Sequence, residues 1–300
     1  MVGVRTLRRS RWGRKALAAM NMVGSQCIRL VFASHRGPVM VDGCKMYLSH
    51  DGGPSVSFAM ALLSGKYEQG TKQLLERLIQ KGATVIDVGA HVGYYALLFA
   101  RWVGPEGRVI AFEPAPDNYA LLRKNIELNG CANIVCIPKA VSDRSGTVQL
   151  FISSQGNDRH SIFENPRSIV RESSREVSAV SLDQFLAGEG WPRVDLVKMD
   201  VEGAEPFALE GMRELLHRSA DLKLIVEFAP EALRTGGNDP GRFLERLLEL
   251  GLNVDPIGQV DDLRLKRPSD VSSFVQRAEK LGMINLLCQR KASVPESSLA

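Results

Sequence analysis

No C-x-x-C pair occurs in these 300 residues, and the five cysteines (Cys27, Cys44, Cys131, Cys136, Cys288) are an odd, scattered set. That pattern argues against a disulfide framework and against a cysteine-built zinc site. The five histidines show no H-E-x-x-H or comparable spacing, so no dedicated metal-ligand pattern is read, and the metal expectation is none. No apolar run is long enough to cross a bilayer, and no secretory signal core is present. Acid is missing from residues 1–41, which carry eight basic residues (Arg5, Arg8, Arg9, Arg11, Arg14, Lys15, Arg29, Arg36). Removing those eight from the 38 Lys and Arg leaves 30 against 34 acids, so the body is acidic despite the formal charge of +4. Nucleic acid is therefore not expected as a partner.

With 44% hydrophobic and 24% charged residues, what remains reads as a globular chain of the cytoplasm, the default compartment. The organisation expected is a basic arm over 1–36, flexible or helical, then strands and a helix over 37–82 packing on a main domain over 83–290, and a loose tail over 291–300. The arm fits a solvated terminus, a transit-like peptide or a helix in peripheral contact with a membrane surface.

The most informative run is Val85-Ile86-Asp87-Val88-Gly89-Ala90-His91-Val92-Gly93-Tyr94-Tyr95, followed by the acid-ended strand Ile110-Ala111-Phe112-Glu113. It reads as strand, glycine turn, helix and second strand, half of a nucleotide-shaped cleft. A dinucleotide turn needs G-x-G-x-x-G, but counting from Gly89 the second and third glycine slots hold His91 and Tyr94, whose side chains would obstruct a pyrophosphate. Two glycines four apart, Asp87 before them and Glu113 after suit a nucleoside without phosphates. Glu113 would hold the ribose and Asp87 an ammonium group, which points to S-adenosylmethionine.

Strands are expected at 84–88, 108–112, 134–138, 194–199 and 222–228, with helices near 93–102, 116–129, 204–216 and 240–250, hence an α/β doubly wound, mostly parallel sheet. A strand pair turns at Asp42-Gly43, and a helix opens after Gly65-Lys66-Tyr67-Glu68. Residues 252–257 and 283–289 are joined by a polar stretch with no obvious covering helix, which suggests a hairpin at one sheet edge. Residues 153–175 read as a loop beside the crevice.

A second constellation, Asp195 to Glu205, runs from strand into a charged turn and a new helix, placing Asp200 and Glu202 at the rim of the crevice. Glu205 fits either a helix N-terminus or the site, and Glu227 ends the apolar strand from Leu222. Lys198 is read as a structural ion partner, pointing away from Asp200 or pairing with acids on an adjacent strand.

With these residues placed, the chain resembles the FkbM-type family of S-adenosylmethionine-dependent methyltransferases. The likeness rests on TVIDVGAHVGYYALLFA, GRVIAFEPAPDNYALLRKNIELNG, KAVSDRSGTVQLF, VSLDQFL, VDLVKMDVEGAEPFALEGM and LIVEFAP, within about residues 65–290. The resemblance implies the class I methyltransferase sheet of seven strands with a reversed final strand. It places Asp87, Gly89, His91 and Gly93 at the methionine end of the cofactor, Glu113 at the ribose, and Ala140, Val141 and Asp143 beside the adenine. Asp200, Glu202, Gly203 and Glu205 match the block near the transferred methyl, and Glu68 joins the cofactor contacts. His91 replaces the usual asparagine, and Ala229 stands where many members carry histidine.

The implied activity is O-methylation of a hydroxyl on a small-molecule, sugar or lipid-linked acceptor, with Asp200, Glu227 or the loop residue His160 as candidate bases. A nicotinamide-dependent oxidoreductase and a non-catalytic cofactor-binding scaffold are the competing readings.

Overall fold

Apolar runs such as Val85-Ile86 and Val109-Ile110-Ala111-Phe112, each followed by a helical pattern, form strands buried on both faces. The computed structural model describes residues 37–48, 56–152, 160–163, 173–258, 263 and 265–290. The basic arm, the tail and most of the 153–175 loop lie outside the described residues. In chain order come β1 (Val39–Val41), β2 (Cys44–Met46), α1 (Val56–Leu63), α2 (Gln69–Leu78), β3 (Thr84–Val88), α3 (Tyr94–Val103), β4 (Arg108–Phe112), α4 (Pro116–Asn129) and β5 (Ile134–Ile137). They are followed by β6 (Ala140–Val141), β7 (Gly146–Ile152), β8 (Ser173–Val180), α5 (Leu182–Gly188), β9 (Leu196–Met199), α6 (Glu205–Glu210) and α7 (Arg213–Arg218). The chain continues through β10 (Lys223–Phe228), α8 (Pro230–Thr235), α9 (Pro240–Glu249), β11 (Leu252–Pro256), α10 (Val271–Leu281) and β12 (Ile284–Arg290). None of the described helices is long and apolar enough to cross a membrane.

Seven strands form one sheet in the order β11-β12-β10-β9-β3-β4-β5. The run from β10 to β5 is parallel, and β12 is antiparallel to both its neighbours. The sheet is therefore doubly wound with its final strand reversed, the class I methyltransferase architecture. Chain order reverses between β3 and β9, and the crevice beyond the strand ends at that switch point is where a ligand is held in such sheets. Period-two alternation assigns the strand residues to two cores. Ile86, Val88, Ile110 and Phe112 pack with Leu182, Leu209 and Leu244, while Val85, Val109 and Ala111 pack with α3.

The first hairpin turns at Asp42-Gly43 as expected and joins the second core through Val41, Cys44 and Met46. Fully buried Asn125 ties it down, accepting from the Tyr47 amide at 2.7 Å and donating to the carbonyls of Tyr47 and Val92.

The structure departs from expectation in two places. The helix expected over 204–216 is two helices, because the Asp183 carboxylate accepts the Glu214 and Leu215 amides at 2.8 and 2.9 Å and starts a new helix there. The polar stretch after β11 carries α10, whose Val271, Phe274 and Ala278 are buried at helical spacing, so β11 and β12 pair antiparallel without a tight hairpin. β7 and β8 leave the main sheet to form a three-stranded sheet with β6.

Candidate active site

The β3 turn is built by backbone. The Gly89 and Ala90 amides both donate to the Phe112 carbonyl at the end of β4, and the Asp200 amide donates to the Val88 carbonyl. Gly89 has φ +83°, and a Cβ there would collide with the Asp200 carbonyl oxygen, so only glycine lets β3 and β9 close at this point. Gly93, at φ +93°, begins α3, where a Cβ would lie 2.7 Å from Leu122 Cδ1. Between them His91 adopts φ 52°, a left-handed geometry that asparagine and histidine enter more readily than most residues. That conformation aims the His91 amide at Glu113 Oε2, 2.8 Å away, while the Ala115 amide donates to Oε1 at 2.9 Å. Glu113 is buried, and burial pushes its pKa up to about 7 against those amides and Asn118. A carboxylate oxygen holding one donor can accept another, so Glu113 can still bind a ribose diol.

Across Gly89 the chemistry changes from amides to charged side chains. Lys198 Nζ meets Asp200 Oδ2 at 3.0 Å and stands 4.7 Å from the centroid of the Tyr95 ring. Lys198 does not point away from Asp200: residues two apart share a strand face, so the two project together. Burial opposes the Lys198 charge, but Asp200, Glu68 and Asp87 outweigh it and raise its pKa. Asp87, only 1% exposed, has no hydrogen-bond partner on either oxygen among the described residues. Burial pushes it up to about 7, with Lys198 working against the rise.

Glu68 sits just before α2. Its Oε2 accepts from the Tyr95 hydroxyl and from Asn285 Nδ2, both at 2.8 Å, whereas Oε1 is shut off from solvent and unpartnered. Glu227 lies inside β10, one residue earlier than a strand terminus, opposite Asn285 of β12. Burial and the surrounding acids push its pKa well up. Glu205 turns away from this group: its carboxylate accepts the Val201 and Gly203 amides at 3.0 Å and organises its own turn.

These elements open onto a cleft of about 460 Å³, a size suited to a small organic ligand. Gly89, His91, Glu113, Ala140, Val141, His160, Asp200 and Glu227 all line it. Asp87 faces a small adjoining hollow with Lys198 and Asp200. Gly93 and Glu68 are not among its lining residues, and Asp143 lies elsewhere, in a separate depression with Arg144, Thr147 and Gln149. The reason is local: β6 ends at Val141, and the chain turns outward through Ser142 toward β7.

The sequence reading missed Phe58 and Tyr67 as cleft walls and Asn285 as the residue that holds Glu68. Phe58 packs edge-on against His91 with centroids 5.0 Å apart, closing that side with an aromatic face. An asparagine inside the apolar run Ile284-Asn285-Leu286-Leu287 was the available signal.

The family model described as the methyltransferase FkbM domain matches residues 87–253, more than half of the chain and the full span from Asp87 past Glu227. The chain belongs to the FkbM methyltransferase family. Methyl transfer, not nicotinamide chemistry, is thus the activity of its relatives.

Methyltransferase sdnD of Sordaria araneosa is 29% identical over 43% of this FkbM-family chain and 60% of its own length. Hexuronic acid methyltransferase AglP of Haloferax volcanii is 26% identical over 55% of the chain and 69% of its own. The 31-O-demethyl-FK506 methyltransferase FkbM of Streptomyces tacrolimicus is 29% identical over 45% and 62%. The chain thus spans about three fifths of the first of these relatives. Among solved structures, cofactor-bound Rv0187 from MTB aligns over 78% of the chain and 88% of its own at 16% identity, with a TM-score of 0.44.

Proposed function

We propose that this FkbM-family chain methylates a hydroxyl of a small-molecule, sugar or lipid-linked acceptor in the cytoplasm, using S-adenosylmethionine. The observation that carries this reading is one cleft with two unlike walls: Glu113 fixed by two backbone amides on one side of Gly89, and the carboxyls of Asp200 and Glu227 on the other. The names of AglP, of the FkbM enzyme and of 2-O-methyltransferase NoeI of Sinorhizobium fredii support acceptors that offer oxygen.

Glu113 would hold the ribose, Gly89 and the His91 turn the methionine end, and Ala140 and Val141 the adenine. Asp87 and Asp200 face the region where a cationic group is favoured. When bound, the cofactor supplies a methyl group on a cationic sulfur. The protein aligns an acceptor oxygen, excludes water with Phe58, Leu150 and Ile162, and takes up the hydroxyl proton. Glu227 lines the cleft and is the candidate to take that proton, while Asp200 pairs with Lys198. His160 lines the same cleft and is the rival base.

The test is a panel of hexuronic acids, deoxyhexoses and macrocyclic alcohols offered with methyl-labelled S-adenosylmethionine, with products read by mass spectrometry. Label transfer to oxygen in the wild type, lost at least 100-fold in Asp200→Asn while calorimetric binding of S-adenosylhomocysteine persists, is the outcome expected. A wild-type protein that takes up no S-adenosylhomocysteine overturns the reading.

A further inference from the structure

Three carboxylates from distant parts of the chain converge on one point. One oxygen each from Glu68, Asp200 and Glu227 lies within 4.8 Å of the others, a spacing at which all three can touch a single ion. They arrive from the start of α2, the end of β9 and the interior of β10, so no local turn explains their meeting.

Two other buried acids near the site are occupied by amides, Glu113 by His91 and Ala115 and Glu205 by Val201 and Gly203. Glu227 is 93% buried (7% exposed), faces the cleft and has no hydrogen-bond donor among the described residues. A buried acceptor without a donor calls for a ligand that supplies positive charge. Glu68 strengthens the case, because its two oxygens are treated differently. Tyr95 and Asn285 both bond Oε2 and so fix the plane of the carboxylate, while Oε1 stays dry and unpartnered. Orienting one oxygen from behind so that the other faces inward is how proteins set metal-binding carboxylates. Thr71 adds a further link, accepting from Asn285 at 3.0 Å.

Charge bookkeeping agrees. Four acids, Glu68, Asp87, Asp200 and Glu227, gather around the single ammonium of Lys198. Lys198 has Asp87 and the Tyr95 ring beside it as well as Asp200, so the cluster can take up further positive charge without displacing the lysine.

We propose that Glu68, Asp200 and Glu227 bind a divalent, oxygen-seeking cation of the Mg²⁺ or Mn²⁺ kind on the acceptor side of the cleft. All three ligands are hard carboxylates with no sulfur or imidazole among them, which selects such ions over zinc or copper. Asp200 and Glu227 then act on the acceptor oxygen through the ion. The use of the ion rests on the methyl-transfer reading above, but its binding does not.

The experiment titrates Mn²⁺ into the chelator-treated full chain, with free Mn²⁺ read by electron paramagnetic resonance. One saturable site is expected, weakened at least tenfold in Glu68→Gln and in Glu227→Gln, and roughly tenfold in Asn285→Leu, which leaves the ligands but frees Glu68. Should Glu227→Gln fail to fold by circular dichroism, Glu68→Gln on the partly buried start of α2 decides. Absence of saturable binding, equal binding in wild type and both glutamine variants, or release of Mn²⁺ on adding S-adenosylmethionine overturns the proposal; release assigns the trio to the cofactor's own cation. S-adenosylhomocysteine calorimetry on the same samples separates the two readings, since lost cofactor binding with retained Mn²⁺ sinks the methyltransferase reading alone.

Discussion

Glu113 and Glu227 are both acids at the crevice end of a central strand, 5% and 7% exposed, and both are pushed up in pKa by burial. Their surroundings divide the cleft. Glu113 is held by two amides that the β3 and β4 turns supply, so its geometry exists before any ligand arrives. Glu227 has the carboxylates of Asp200 and Glu68 near it. The cofactor wall is therefore preorganised by backbone, and the acceptor wall is an assembly of charges whose arrangement depends on what it binds.

The sharpest way to break the backbone wall is Gly89→Ala. Its Cβ would meet the Asp200 carbonyl at a left-handed φ, and no side-chain rotation relieves a clash with backbone. A loss of about 3–5 kcal/mol is expected in urea unfolding, with S-adenosylhomocysteine binding abolished. The same substitution at exposed Gly188, which has open space around it, is expected to cost nothing of the kind.

Next in size is Glu113→Ala. It removes the acceptor for ribose hydroxyls and strands the His91 and Ala115 amides, so S-adenosylhomocysteine affinity is expected to fall about 100-fold by calorimetry. Glu227→Ala, on the side-chain wall, is expected to change that affinity less than threefold. Equal losses in the two variants would erase the division of the cleft.

Why one wall was legible in the sequence and the other was not follows from the same contrast. Asp87, Gly89, Gly93 and Glu113 fall within one strand-turn-helix-strand unit, whose geometry is dictated by neighbours in the chain. Glu68 and Asn285 are 217 residues apart, and only the insertion of reversed β12 beside β10 brings them together. Phe58 was unreadable because α1 is apolar almost throughout, Val-Ser-Phe-Ala-Met-Ala-Leu-Leu, with no polar face to mark a period. In α10 the polar Ser272 and Ser273 hid a stripe at Val271, Phe274 and Ala278. The Lys198–Asp200 pair was legible in principle, since period two alone puts both on one face.

A smaller effect separates the walls by pH. Asp87 titrates near 7 when folded, against about 3.9 for an unfolded aspartate. The folded state thus binds the extra proton between those values. Its contribution to stability is full below about pH 4 and is lost as pH rises to 7, with no further change above. Cofactor-free protein is expected to lose about 1–3 kcal/mol from this group between pH 5 and pH 8, and Asp87→Asn to flatten that slope in urea titrations. Retention of the full slope in the variant would move the titration to Glu113, Glu205 or Glu227.

The smallest expected effect bears on the residue that looks most unusual in the turn. His91 contributes a left-handed backbone and an amide aimed at Glu113, and its ring packs on Phe58. Asparagine enters the left-handed region as readily and keeps the amide, so His91→Asn is expected to leave S-adenosylhomocysteine affinity within threefold. The lost ring contact costs about 0.5–1 kcal/mol, seen as a small drop in thermal midpoint. His91→Val, β-branched and disfavoured at positive φ, should instead weaken the cofactor at least tenfold, because the amide swings away from Glu113. If His91→Asn proved as damaging as His91→Val, the imidazole itself would be contacting the ligand, and the cofactor wall would no longer be a backbone construction.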